Sequence, residues 1–104
     1  MPRVELSRSD NPDKKYRIVL HKEDGGKKTV HFGQKGAGDY TTHKDDERKQ
    51  SYLERHRKGE DWTKRGLDTA GFWSRHLLWN KKSIDESVRD IERKFNVDIT
   101  RKKK

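Results

Sequence analysis

The run Phe72-Trp73-Ser74-Arg75-His76-Leu77-Leu78-Trp79 is the densest apolar stretch of the chain, and it dictates where a core has to form. Leu, Ile, Val and Phe together make up only 18 of the 104 residues. With a formal net charge of +9, that share approaches the composition of disordered chains. Two features favour folding. Two of the three tryptophans fall in this single run, and the apolar residues elsewhere are periodic rather than scattered. Phe72, Trp73, His76, Leu77 and Trp79 would cover too much of a helix's circumference for a surface helix. They predict the central helix of one small domain with a thin core.

The flanking patterns supply the rest. Residues 3–8 suggest a short edge strand, and Asn11-Pro12-Asp13 a turn. Residues 15–21 and 28–32 are rich in β-branched and aromatic side chains and are joined through Asp24-Gly25-Gly26, which reads as a hairpin. Tyr16, Ile18 and Leu20 would share one face, and Val30 and Phe32 one face of the partner strand. A mostly wet helix is expected over 44–58, with Tyr52 and Leu53 as its apolar residues, Thr42 and Asp45 resembling a capping box, and Gly59 as C-cap. Trp62 is expected to lid the hairpin core. The central helix should span 69–79, capped by Asp68 and ended by Asn80. Ser83 and Glu86 form a Ser-x-x-Glu box, and Ile84, Val88, Ile91 and Phe95 follow at spacings of four, three and four. That predicts an amphipathic helix stopping at Asn96. Trp73 and Phe95 are assigned to the core, and residues 97–99 could add a short strand. The expected fold is α+β: a small antiparallel hairpin or three-stranded sheet followed by about three helices. It forms a single domain over 1–100, with a basic tail over 101–104.

The chain has no cysteine, so disulfides and thiolate metal sites are excluded. No apolar run approaches the ~20 residues that span a bilayer. The N-terminus, MPRVELSRSD, has no apolar signal-peptide core. A soluble protein that is not secreted and has no membrane partner is expected. Arg101, Lys102, Lys103 and Lys104 carry four of the nine net charges, and 18 acidic residues leave the body a salt-laced surface with basic excess. Such an excess points to nucleic acid or an acidic surface as partner.

Residues 30–40, VHFGQKGAGDY, end a strand signal in three glycines. Gly33, Gly36 and Gly38 permit backbone conformations that a Cβ would forbid. They leave N–H groups beside Lys35, which suits a phosphate; the alternative is a structural turn. Gly33-Gln34-Lys35-Gly36 has the GxxG of K-homology modules, but it follows a strand instead of joining two helices. Neither a Walker A nor a dinucleotide-binding glycine pattern fits. His21, His31, His43, His56 and His76 do not pair at helical ligand spacing, so no metal and no cofactor is assigned. Asp39, Tyr40, His43, Asp45, Asp46 and Glu47 are dense enough to raise metal-assisted hydrolysis. Loop polarity and helix N-terminal charge account for them more simply.

Nucleic-acid binding needs cations that track phosphates, preferably with aromatics that stack. Lys35, Arg48, Lys49, Arg55, Arg57, Lys58, Lys64, Arg65, Arg75, Lys81, Lys82 and the four tail residues supply cations. Trp62 and Trp79 lie beside several of them.

Three words carry a resemblance: FGxxGxxDYTxHKD at residues 32–45, an RHxxxExW-like spacing that ends at Trp62, and AGFWSRxLLWNK at residues 70–81. Over about residues 13–95 the chain resembles a set of small, basic, largely uncharacterised proteins encoded by nucleocytoplasmic large DNA viruses of algae and amoebae. That resemblance implies a viral product packaged with the genome. The first 62 residues, read as strand, Asp-Gly-Gly turn, strand, aromatic-Gly-x-x-Gly, helix and Trp, resemble the Trp-Gly-Arg domain associated with DNA-repair proteins. Phe32-Gly33-Gln34 stands where that motif has Trp-Gly-Arg, so the arginine contact of that domain is not carried over.

The sequence reading is a non-enzymatic viral nucleic-acid-binding protein, a virion or genome-associated component. It would contact phosphates of double-stranded DNA through Gly33, Lys35, Gly36, Gly38, the basic helix ends and the tail. A second reading is a virion structural protein docking an acidic partner protein, and a third is a small metal-dependent nuclease. The expected location is the virion or the infected-cell nucleus or cytoplasm.

Overall fold

Ile18 and Leu20 alternate with Arg17 and Val19 along β2 (Lys14–His21), and Val30 and Phe32 with Thr29 and His31 along β3 (Lys27–Gln34). This period of two turns the apolar set to one side of each strand. The strands pair antiparallel, with Ile18 opposite Val30 and Tyr16 opposite Phe32. In the turn, the Lys22 N–H donates to the Gly26 carbonyl at 2.8 Å and the Gly25 N–H to the Lys22 carbonyl at 3.1 Å. β1 (Arg3–Arg8) pairs antiparallel with β2, bringing Val4 against Leu20 and Leu6 against Ile18.

The sheet does not stop at three strands. β4 (Asp98–Arg101) runs parallel to β1, giving a mixed sheet in the order β3-β2-β1-β4. β1 therefore lies inside the sheet, not at the edge that its sequence suggests. Ile99 pairs with Val4, which itself faces Leu20, so the added strand extends an apolar row. Arg101 belongs to β4, and the Lys102 N–H donates to the Leu6 carbonyl at 2.7 Å. The tail expected over 101–104 thus begins within the sheet. This computed structural model describes residues 2–102, and the tail residues Lys103 and Lys104 lie outside the described residues.

Four helices accompany the sheet: α1 (Tyr40–His43), α2 (Asp46–His56), α3 (Ala70–Trp73) and α4 (Ile84–Phe95). The helix expected over 44–58 is α2, and it starts two residues later because Lys44 adopts a left-handed conformation, φ 55°, that ends α1. Thr42 is accordingly not an N-cap. Asp39 caps α1, its carboxylate accepting from the Thr41 N–H at 2.9 Å, and the Asp39 N–H donates to the Thr42 hydroxyl at 3.0 Å. Asp45 caps α2 by accepting from the Glu47 and Arg48 N–H groups. α2 ends at His56 with Arg57, not Gly59, as C-cap.

Thr69, not Asp68, caps α3, which passes directly into a π turn at Ser74–Leu78. The wider turn shifts the helical phase, so residues on both sides of Ser74 reach the interior. Phe72, Trp73 and Leu77 are completely buried there, and Leu78 nearly so. α4 is capped by Ser83 and stopped by left-handed Asn96, φ 54°. Its Val88 and Ile91 are buried, whereas Phe95 sits half-buried at the core's border, edge-on to Phe72 at 5.0 Å. Trp62 does not lid the hairpin. Its ring lies under the Arg75 guanidinium, 5.4 Å from the centroid, and its indole N–H donates to Glu60 at 2.8 Å.

Candidate nucleic-acid interface

The 3.6-residue period of α2 sorts its side chains into three strips. Tyr52 and His56 face inward, Lys49 and Arg57 fall on one flank, and Arg48 and Arg55 on the other. Tyr52 anchors the helix by stacking on Trp79, with centroids 4.4 Å apart and planes 4° from parallel.

On the first flank, Lys49 crosses the Tyr40 ring, 4.7 Å from its centroid, and donates to the Asn80 carbonyl at 2.7 Å. The buried Asn80 amide donates to Asp90 at 2.7 Å, and Asp90 also accepts from Arg93 at 2.9 Å and pairs with Lys94 at 3.3 Å. Burial pushes the Asp90 carboxyl up, but the Asn80 hydrogen bond and the Lys94 and Arg93 cations outweigh it and hold it below its ordinary value. This network ties α2, the segment after the π turn and α4 into one surface.

That surface is strongly positive. Burial lowers the Lys49 pKa, and the charges of Arg75, Lys81 and Lys94 push the same way against the Asp46 carboxylate. Burial also lowers that of Arg75, Tyr52 and Asp90 oppose the shift, and Arg57 adds to it. Arg57, Arg75, Lys49, Lys81 and Lys94 thus form a ridge of cations that feel one another. Arg75 donates to the Trp79 carbonyl at 3.0 Å, as Lys49 does to that of Asn80. A carbonyl satisfies a donor without cancelling its charge. Among the described residues Lys49, Arg57, Arg75 and Lys81 enter no ion pair, so their charge remains available to an anion. The half-buried Trp62 ring lies beside Arg75 on this ridge.

The cations singled out in the sequence do not form one surface. Lys49, Arg57, Arg75 and Lys81 belong to the ridge. Arg48 and Arg55 line a recess with Gly38, His43 and Trp79 on the other flank of α2. Lys58 is exposed just after α2, Lys64 and Arg65 sit on a single 3₁₀ turn at Lys64–Gly66, and Lys82 is exposed before α4. Lys35 and Gly36 border a separate hollow with Lys14 and Asp13. Arg101 is ion-paired with Asp85, and Lys102 with Glu5 at 3.6 Å. Both lie by β4, at the sheet edge opposite β3 and the glycine loop. Three strand spacings separate those edges by roughly 14 Å. Lys94 escapes the sequence reading because it sits on the polar face of α4 with nothing in its spacing to mark it.

The glycine loop is stapled from outside itself. Gly33 lies inside β3 with φ +78°, and a Cβ there would stand 2.8 Å from Leu78 Cδ1; Gly36, φ +89°, makes the turn, while Gly38 has no positive φ. The Lys35 N–H donates to the Asp13 carbonyl at 2.9 Å and the Ala37 N–H to the Gln34 carbonyl at 3.2 Å. Lys35 is not the only side-chain cation at the loop. Lys15 Nζ donates to the Ala37 carbonyl at 2.5 Å and to the buried Asp39 carboxylate at 2.6 Å. The Lys35 side chain is exposed.

The acidic stretch beside the loop is equally occupied. Asp39 and Asp45 cap helices, and Asp46 accepts from the Tyr40 hydroxyl at 2.5 Å. Among the described residues no three His, Asp or Glu side chains are placed to hold a metal ion. No helix is long and apolar enough to cross a membrane, among the described residues.

Residues 4–56 match the family described as a family of unknown function (DUF5754). No curated protein matches the chain, and no solved structure does.

Proposed function

We propose that this chain, which belongs to the DUF5754 family, is a non-enzymatic nucleic-acid-binding protein that contacts the phosphates of duplex DNA. In the viral setting that its sequence resembles, it is genome- or virion-associated. The observation that carries this reading is the ridge on α2, the π turn and α4. Lys49 and Arg75 are held there by backbone carbonyls rather than carboxylates, with Arg57, Lys81 and Lys94 within their field. A cation kept in place without a counter-charge favours a polyanion, because each phosphate it meets releases a condensed counterion.

Binding of a random-sequence duplex, followed through a salt titration, tests the reading. With the four unpaired ridge cations engaged and Lys94 held by Asp90, log affinity should fall against log salt with a slope of about −3.6, at roughly 0.9 per phosphate contact. Lys81 is exposed and its side chain enters no ion pair among the described residues. Lys81→Ala should therefore reduce the slope by about 0.9 and leave the thermal midpoint in place. An unchanged slope removes Lys81 from the interface. No duplex binding at low salt overturns the reading in favour of docking to an acidic protein.

A further inference from the structure

The inward strip and second flank of α2 border a cleft that the ridge does not use. It has a volume of about 620 Å³ and opens between the glycine loop, α2 and α3, within the size range of small-ligand sites. Its walls are chemically unequal. Arg55 of α2 and Lys14 of β2 line it and enter no ion pair among the described residues, whereas Lys15 in the same wall is taken up by Asp39 at 2.6 Å. At the start of α3, Ala70 is small and Gly71 makes room for the Glu60 carboxylate, which a Cβ there would meet at 2.7 Å and which also reaches the His56 edge at 3.3 Å.

The cleft also holds the end of a ring column. Trp79 and His56 both stack on Tyr52, at 4.4 and 4.3 Å. Two rings that close to a third ring must take its opposite faces, so the order is Trp79, Tyr52, His56. The far side of Trp79 is closed by His43, tilted at 5.2 Å. His56 has no further ring upon it, lines the cleft, and keeps 40% of its side chain exposed. An imidazole with one face stacked and the other open is a platform for a planar heterocycle.

We propose that this cleft takes a single unstacked nucleotide. The base extends the column on the open face of His56, and the phosphate lies between Arg55 and Lys14. The ligand is a phosphate-bearing aromatic heterocycle, presented as a free mononucleotide or as the unpaired end of a strand. The nucleotide class rests on the nucleic-acid reading above, while the residues involved are separate from the ridge.

Calorimetric titration of the whole protein with AMP, adenosine and ribose 5-phosphate tests the site. AMP should bind more tightly than either fragment. Arg55→Ala, which removes an exposed unpaired cation, should weaken AMP about tenfold and leave adenosine unchanged, a loss of about 1.4 kcal/mol. Ala70→Phe fills the cleft from an exposed position and should abolish AMP binding while the thermal midpoint holds. A duplex with a one-nucleotide overhang, compared with its blunt form, separates the two sources. Tighter binding of the overhang that Ala70→Phe removes identifies a strand end, and AMP binding without an overhang effect identifies a free nucleotide. No AMP binding, ribose 5-phosphate binding as well as AMP, or AMP binding unmoved by Ala70→Phe overturns the proposal. Blunt-duplex binding that falls with Lys81→Ala but not with Ala70→Phe keeps the ridge reading intact when the cleft fails.

Discussion

Trp73→Ala is expected to abolish folding at room temperature. The indole is completely buried, edge-on to Phe72 at 5.2 Å and tilted against Phe32 at 6.4 Å, so it joins α3 to the sheet. Its N–H donates to the Leu67 carbonyl at 2.8 Å inside the protein. Removing the ring costs ~3–5 kcal/mol in lost burial and cavity. The orphaned carbonyl adds about 1 kcal/mol or more. Small domains hold a total of ~5–15 kcal/mol, and a core with so few large apolar residues lies toward the low end. Circular dichroism and urea unfolding would check this. A cooperative transition with a near-native midpoint would show that the core does not depend on the indole. Phe95, half-buried at the core's edge, should cost distinctly less when truncated.

Acid should destabilise the protein in a window set by His76. The imidazole is buried between Phe72 and Phe95, with ring centroids at 4.6 and 4.8 Å, and its Nε2–H donates to the Trp62 carbonyl at 2.8 Å. Burial pushes its pKa from 6.5 down to about 4. The Trp62 carbonyl and Asp90 favour the proton, and the charges of Arg75 and Lys94 oppose it. Between those two values the unfolded chain binds a proton that the folded chain refuses. Stability therefore rises with pH through the window and is lost as pH falls from 6.5 toward 4. At 1.36 kcal/mol per pKa unit, the loss reaches about 3 kcal/mol. His76→Phe should flatten stability over this interval in urea melts taken at a series of pH values. A wild-type profile flat from pH 6.5 to 4 would mean that His76 binds its proton equally in the folded and unfolded chains. Asp90, whose carboxyl is held below its ordinary value, adds its own loss at still lower pH.

The hairpin and α4 were legible because their signals are local. Alternation over residues 15–21 and 28–32 determines which side chains are buried, and the spacing of Ile84, Val88, Ile91 and Phe95 does the same for α4. β4 was only suggested, since the four residues Asp98–Arg101 offer one buried apolar side chain, Ile99. What fixes its place is Val4, near the other end of the chain. The Thr42–Asp45 capping box expected for the helix over 44–58 does not form because Thr42 belongs to α1, where its hydroxyl accepts from the Asp39 N–H, and Lys44's left-handed backbone separates the two helices. The binding surfaces were the least legible. Lysines and arginines on solvated faces look alike in sequence. The ridge differs only in that Lys49 and Arg75 end on carbonyls, and that depends on how α2 meets the π turn. Lys15 and Asp39 meet across 24 positions with no periodicity to announce it.

The parallel pairing of β1 with β4 also governs the order of assembly. β2 and β3 are neighbours in sequence and can zip in microseconds. Arg3 and Asp98 must instead find each other across nearly the whole chain, against an entropy of closure that grows with the logarithm of the loop. Until α4 has docked and delivered β4, the strand that ends in the middle of the sheet shows a bare row of amides and carbonyls. The latest step of folding and the moment of greatest exposure to intermolecular strand pairing therefore fall on the same six residues, Arg3–Arg8.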